Sequence, residues 1–105
     1  MYWVVLVASG VLEAVWATAL AASNGFRRPW PVVVWAVTMT LSLVGLAFAM
    51  RGIPVGTAYA VWVGVGAVGT AILGIVLLGE PSNAGRLISL GLIIAGIVGL
   101  KLASP

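Results

Sequence analysis

Residues 2–22 read YWVVLVASGVLEAVWATALAA, an apolar stretch in which Glu13 is the only charged side chain. A helix needs roughly 20 apolar residues to cross the hydrocarbon layer of a bilayer, and this stretch has that length. Backbone groups inside lipid must be hydrogen-bonded within the protein, which favours a helix over an isolated strand. The stretch therefore predicts a transmembrane helix with a carboxyl group near its centre.

Three further apolar stretches follow, separated by short segments that contain Gly or Pro, and these residues interrupt helices. The stretches are apolar on all sides and lack the period of two of a membrane β-barrel. We predict an all-α membrane protein, with residues 1–105 forming a single four-helix transmembrane domain whose spans cover about residues 2–22, 30–50, 55–78 and 84–102. Residues 19–21 resemble a signal-peptidase site, but no basic segment precedes them, so the first helix is expected to remain.

The composition excludes several classes of protein. Of the 105 residues, 63% are hydrophobic and 7% are charged, against roughly 25% charged residues in a soluble domain. We therefore expect no soluble enzyme. The net charge of +3 comes from cations scattered along the predicted membrane edges, which form no patch for nucleic acid. Because the chain has no Cys or His, we expect no disulfide, metal site or cofactor.

Lys and Arg in short loops set the orientation of a membrane protein. With four spans, Arg51 and Lys101 lie on one side of the membrane, and Arg27, Arg28 and Arg86 lie on the other. This distribution is almost even. The chain is therefore predicted to insert in both orientations, unless features other than Lys and Arg orient it.

Glu13 is the residue with the clearest chemistry. At 1.5 Å per residue it lies about 17 Å along the first span, close to the bilayer midplane. A carboxylate is costly there, and no Lys or Arg occurs in the middle of any span to neutralise it. One interpretation is a protonated Glu that only packs against a neighbouring helix. The other, which we favour, is a site that binds either a proton or a cation, each excluding the other.

Aromatic side chains lie near the same depth. Trp16 follows Glu13 by one helical turn, and Tyr59 and Trp62 share one face of the third span. Their N–H and O–H groups need partners when they are buried. We predict that these three residues line a substrate pocket, the alternative being ordinary packing.

The second span carries a stripe of small and hydroxylated residues, Thr38, Ser42 and Gly45. Ser42 is predicted to line the same pocket. A serine in a helix can equally bond its own backbone, so this alternative stays open.

Small residues also recur every four positions on the last span, at Gly91, Ala95 and Gly99. Such stripes allow close contact between membrane helices, and a substrate cavity is easier to build from two copies of so small a bundle. We therefore predict that these residues pack a dimer. Gly64 and Gly66 are predicted to allow a bend in the third helix. Glu80 and Arg86 are expected to be solvated ends of the last loop.

Residues 53–67, IPVGTAYAVWVGVGA, strongly resemble the third-helix signature of the small multidrug resistance family. The similarity extends over the whole chain, including the membrane Glu13, the SNGF segment at 23–26 and the closing residues 99–101. Residues 10–17, with Trp16, and residues 57–62 resemble the guanidinium exporter subfamily rather than the exporters of polyaromatic cations.

The resemblance implies a proton-coupled antiporter in the bacterial inner membrane, which exports guanidinium and small guanidinium-type cations. It also implies an antiparallel homodimer in the lipid bilayer, with the fourth helix carrying much of the dimer contact. Glu13 would be the shared site for protons and guanidinium. The shell around it would comprise Trp16, Ser42, Tyr59 and Trp62.

The chain departs from the family pattern at Ala21 and Ala22, where members often carry a Lys; this removes a loop cation and bears on the orientation. Three alternatives remain open. They are a broad exporter of quaternary or aromatic cations, one subunit of an exporter built from two different chains, and a membrane scaffold that transports nothing.

Overall fold

The computed structural model describes residues 1–103. It contains four helices, α1 (Tyr2–Ala22), α2 (Pro29–Ala49), α3 (Val55–Leu77) and α4 (Ala84–Ala103). All four are long and apolar enough to cross a membrane, and the described range contains no strand. The predicted all-α class is confirmed, and the protein is a multi-pass membrane protein. α2 begins at Pro29, one residue before the position predicted from the sequence, because proline suits the first turn of a helix.

The loop between α1 and α2 is a tight turn organised by Ser23. The hydroxyl of Ser23 is buried, donates to the α1 backbone at 2.7 Å and accepts the Phe26 N–H at 3.2 Å. Asn24, Gly25 and Phe26 have φ angles of 51°, 71° and 68°, a left-handed conformation that Gly and Asn adopt most readily. The Phe26 ring then packs edge-on against Trp35, with the centroids 5.2 Å apart, which holds the start of α2 against the turn.

The helices α1, α2 and α3 form the packed part of the molecule. α1 lies along both α2 and α3, whereas α4 lies against α3 and has no buried residue. The buried apolar core is made by Leu6, Leu46, Ala49, Ile53, Ala58, Val61 and Trp62. α4 is therefore an outlying helix in the single chain. A Cβ atom added at Gly91 or Gly99 would have no neighbour within 4 Å, so the small-residue stripe of α4 lies on an open face.

Close approach of α1 to α3 depends on small residues. A Cβ atom added at Gly10 would lie 2.7 Å from the Cβ atom of Val65, and one added at Gly69 would lie 2.8 Å from that of Ala14. Both distances are too short for real side chains. The two helix backbones therefore come closer than larger residues would permit, as is typical of packing in membranes.

The segment around Gly64 and Gly66 is helical throughout, since α3 runs without a break from Val55 to Leu77. Each glycine makes room for a side chain of a different helix. Ile97 of α4 lies against Gly64, where an added Cβ atom would be 3.0 Å from its Cδ1 atom, and Glu13 of α1 lies against Gly66. The predicted bend at these positions stays a prediction.

Candidate functional site

Ser42 ties three helices together by hydrogen bonds. Its hydroxyl is fully buried, donates to the carbonyl oxygen of Ser9 in α1 at 2.6 Å, and accepts the indole N–H of Trp62 in α3 at 3.0 Å. Gly45 makes this contact possible, because a Cβ atom there would overlap the Ser9 side chain. Of the two alternatives left open by the sequence, the structure has the interhelical bond and not a bond to the backbone of α2.

The hydrogen bonds of Ser42 to two other helices lead to a prediction about stability. We expect Ser42→Ala to lower the free energy of unfolding by about 1 kcal/mol, because the mutation leaves the buried Trp62 N–H without a partner and removes the additional bond to the Ser9 carbonyl. Thr38→Ala is the matched control, since the Thr38 hydroxyl bonds the Val34 carbonyl of its own helix at 2.6 Å, and its loss should change stability little. Denaturant unfolding of the detergent-solubilised variants measures both effects. Equal losses would contradict a special role for the Ser42 bonds.

Glu13 lies one helical turn from Ser9 and Gly10. Its side chain rests directly on Gly66 of α3, and any Cβ atom at that position would overlap the carboxylate. The Oε2 atom is buried and accepts no hydrogen bond within residues 1–103. Within these residues Glu80 forms an ion pair with Arg86, whereas no Lys or Arg side chain pairs with Glu13. Glu13 thus offers a buried, unpartnered acceptor that can take a proton or a cationic donor.

Trp16 packs against the apolar core, and its indole N–H is also buried without a hydrogen-bond partner in the described part of the chain. No hydrogen bond joins it to Glu13. The two side chains therefore present an unpaired donor and an unpaired acceptor on adjacent turns of α1. Buried polar groups normally have partners, so unpaired ones indicate a position that an absent molecule or a second chain completes.

Tyr59 lies beside Trp62 on the same face of α3. Their ring centroids are 6.0 Å apart and the planes are inclined by 36°. Tyr59 is 54% exposed, whereas Trp62 is 7% exposed, so the pair extends from the interior towards the surface. The structure thus joins Ser42, Trp62 and Tyr59 in one connected group. Glu13 lies beside this group, because Gly66 follows Trp62 by one turn of α3.

A groove between α1 and α3 contains Glu13. It has a volume of about 420 Å³ and is lined mainly by Ala, Gly and Thr. Its other end lies under the loop before α4, at Glu80 and Arg86. The lining residues are Glu13, Ala17, Thr18, Ala21, Gly66, Ala67, Thr70, Ala71, Gly74, Leu78, Glu80 and Arg86. A larger groove of about 520 Å³, near Arg28 and Trp30, is otherwise almost wholly apolar and holds none of the predicted site residues. We therefore assign the binding of cations to the smaller groove, which contains Glu13; the other predicted pocket residues do not line it, namely Trp16, Ser42, Tyr59 and Trp62.

Glu80 and Arg86 were expected to be solvated ends of the last loop; both side chains are partly exposed, and they also form an ion pair with each other. The Arg86 Nη2 atom donates to the Glu80 Oε1 atom at 2.6 Å, and the two side chains are 30% and 43% exposed. Glu80 also folds back onto α3, where a Cβ atom at Gly74 would overlap its carboxylate. The only sequence signal was an acid and a base that flank a segment with Pro81 and the helix-capping Asn83.

Comparison with known proteins gives a consistent result over nearly the whole chain. The sequence pattern described as Small Multidrug Resistance protein matches residues 1–93. The chain is 59% identical over 104 residues to the Guanidinium exporter of Yersinia pseudotuberculosis, covering 99% of this chain and 100% of that protein. It is 57% identical to the Guanidinium exporter of Escherichia coli and 55% identical to that of Citrobacter freundii, in each case over 104 residues, 99% of this chain and 99% of the relative.

Proposed function

The chain belongs to the small multidrug resistance family, and on this premise we propose that it is a proton-coupled antiporter that exports guanidinium and small guanidinium-type cations across the bacterial inner membrane. The observation that carries the proposal is the half-buried carboxylate of Glu13 in the middle of α1, whose Oε2 atom is buried and has no hydrogen-bond partner within residues 1–103. The names of the relatives support guanidinium as the substrate. No enzymatic activity is proposed.

The chemistry of guanidinium fits this position. The ion is planar, and its N–H groups are arranged so that two of them can bond one carboxylate. On α3, Trp62 lies one turn and Tyr59 about two turns from Gly66, on which Glu13 rests, and aromatic faces attract cations through their π electrons. The free indole N–H of Trp16 cannot bond a cation, so we assign it the role of donating to the second carboxylate oxygen or to a hydroxyl in the assembled pocket.

Coupling to protons follows from the use of one group for two ligands. A proton removes the charge of Glu13, and a bound cation holds the carboxylate in its charged form, so the ligands exclude one another. The carrier therefore exchanges protons for substrate when it changes the side to which Glu13 is open. In a dimer with two Glu13 residues in one cavity, the pair titrates together and no single pKa describes it.

We propose that the working unit is an antiparallel homodimer. The open small-residue stripe of α4, with Gly91, Ala95 and Gly99, supports a contact between two copies, because nothing covers it in the single chain. A second copy would also close the α1–α3 groove beside Glu13. The orientation of the chain in the membrane, measured by cysteine labelling, distinguishes an identical partner from a different chain of opposite bias.

The bonds of Ser42 favour a narrow specificity. An exporter of quaternary or polyaromatic cations needs a loose pocket, whereas here the Trp62 ring is held in place by the Ser42 hydroxyl. Guanidinium and a tetra-substituted phosphonium should be compared for binding in detergent. We expect saturable binding of guanidinium alone. Tight phosphonium binding would support the broad exporter, and binding of neither cation would support the scaffold.

The competition at Glu13 predicts a dependence on pH. The apparent affinity for guanidinium should weaken as the pH falls, up to about tenfold per pH unit for one competing proton, because protonation removes the carboxylate that binds the cation. Equilibrium binding measured between roughly pH 6 and 9 tests this, a range that covers the usual perturbation of functional carboxyls. An affinity that stays constant across the range would contradict a shared site.

A further inference from the structure

The groove that holds Glu13 has a charged mouth. Glu13 and Ala21 both line it, and they are eight residues apart on α1, so the groove runs about 12 Å from the middle of the membrane towards its edge. At the edge it meets Glu80 and Arg86, which line the same cavity. Within residues 1–103, every acidic side chain of the protein therefore lies on this groove.

The backbone holds both mouth residues in position. Gly79 has a φ angle of 69°, a left-handed conformation that ends α3 and turns the chain back, and the Glu80 N–H donates to the Gly74 carbonyl at 3.1 Å. Across the mouth, the Arg86 N–H donates to the Asn83 side chain at 2.9 Å in the first turn of α4. The Glu80–Arg86 contact is thus made between two fixed backbones and not between free ends.

The contact between Glu80 and Arg86 joins a carboxylate to a guanidinium group, the same group that the proposed substrate carries. The side chain of Arg86 ends in a guanidinium group, and one of its nitrogens bonds one oxygen of the Glu80 carboxylate, leaving the other oxygen without this bond. The pair is partly exposed, and ion pairs of this kind are held weakly in water. A free guanidinium ion that reaches the mouth can therefore replace Arg86 at Glu80, because the ion and the Arg86 side chain offer the same hydrogen-bonding group.

We propose that Glu80 is a second cation-binding carboxylate, which captures guanidinium at the mouth of the groove leading to Glu13, and that Arg86 is a built-in competitor displaced by the substrate. The proposal rests on the proposed function, since it takes guanidinium as the transported ion. Glu80 binds the ion transiently and passes it along the groove, whereas Glu13 is the site at which protons compete.

Two simpler roles for the ion pair make different predictions from this one. If the pair only fastens the loop to α4, losing either member should impair transport, and losing both should do no more harm. If the charges act only through space on Glu13, the two single losses should have opposite effects that cancel in the double variant. Capture at Glu80 also gives opposite single effects, but the double variant should then behave like the loss of Glu80 alone.

The test is uptake of radiolabelled guanidinium by proteoliposomes, with kcat/KM determined for Glu80→Gln, Arg86→Gln and the double variant. We expect about a two- to fivefold fall for Glu80→Gln, a similar rise for Arg86→Gln, and a fall in the double variant equal to that of Glu80→Gln, magnitudes that follow from the strength of an exposed ion pair. Arg27→Gln removes an exposed cation outside the groove at the same end of the bundle as Arg86, so it shifts the Lys and Arg balance by the same amount and should leave kcat/KM unchanged.

A fall in all three variants, a double variant that matches the wild type, or no change in either single variant would overturn the proposal. If Arg86→Gln does not yield folded protein, Arg86→Lys replaces it, with an expected rise of smaller size because the ammonium keeps the charge but lacks the planar guanidinium. Glu13→Gln in the same assay separates this inference from the proposed function. If the Glu13→Gln variant still takes up guanidinium, the proposed function is wrong. If Glu13→Gln abolishes uptake but Glu80→Gln leaves it unchanged, only the proposed capture site is wrong.

Discussion

Replacing Glu13 with Gln is expected to reduce proton-driven guanidinium uptake at least about 100-fold, with the protein still folded. The amide has the shape of the carboxyl group, so the packing on Gly66 is retained. It carries no charge, however, and can neither hold a guanidinium ion by a charge-assisted pair nor exchange a proton. Loss of one member of a buried charge pair typically costs enough binding energy for a change of this size.

Stability should be unaffected, because the buried Oε2 atom of Glu13 has no hydrogen bond to lose. Uptake into proteoliposomes driven by a pH gradient measures the effect, and the elution volume and thermal unfolding of the purified variant report the fold. Glu80→Gln is the matched control, since it removes the other acidic side chain and should reduce guanidinium uptake only a few-fold. Wild-type uptake by Glu13→Gln would exclude this carboxyl as the coupling site.

The sequence predicted the four helices because their signal is local. Each span is a long apolar stretch, and each loop contains residues that interrupt helices. The depth of Glu13 follows in the same way from counting along one helix. Apolar stretches with no strong polar face, by contrast, do not indicate which sides of two helices meet. The bond from Ser42 to Ser9, rather than to its own backbone, therefore required the structure.

The pairing of Glu80 with Arg86 shows the same limit at a loop. Six residues separate the two, and whether they meet depends on the direction in which the chain leaves α3. The left-handed Gly79 sets that direction, and the absence of a side chain at Gly74 lets Glu80 lie on the helix. Neither effect is visible as a pattern, because isolated glycines occur throughout this chain.

The structure gives the charge distribution that bears on orientation. The Tyr2 ring contacts Phe48 at a centroid distance of 5.2 Å, and the Lys101 ammonium lies 5.0 Å from the centroid of the Trp3 ring. The start of α1, the end of α2 and the end of α4 therefore share one end of the bundle, with Arg51 and Lys101. The opposite end carries Arg27, Arg28 and Arg86. The near balance predicted from the sequence is thus present at the two ends of the folded chain.

We expect this near balance to produce two orientations of the same chain in one membrane. The protein has no Cys, so single cysteines can be placed at Ser82, in the exposed loop before α4, and at Ala103, at the exposed far end of that helix. Each variant is labelled in whole cells with a thiol reagent that does not cross membranes, and then again after lysis. About half of the copies should react from outside in both variants, because an even distribution of Lys and Arg leaves neither orientation favoured.

A single orientation gives a different pattern, in which one variant is fully labelled from outside and the other is not labelled at all. That outcome would exclude the antiparallel homodimer and would leave a parallel dimer, or a partner chain of opposite bias, to complete the cavity. Half-labelling at both ends has a further consequence. Two copies related by a twofold axis in the membrane plane exchange places when the cavity opens to the other side, so the inward-open and outward-open forms are equal in energy. The transport cycle then needs no energy difference between its two states, and the gradients of protons and guanidinium alone decide its direction.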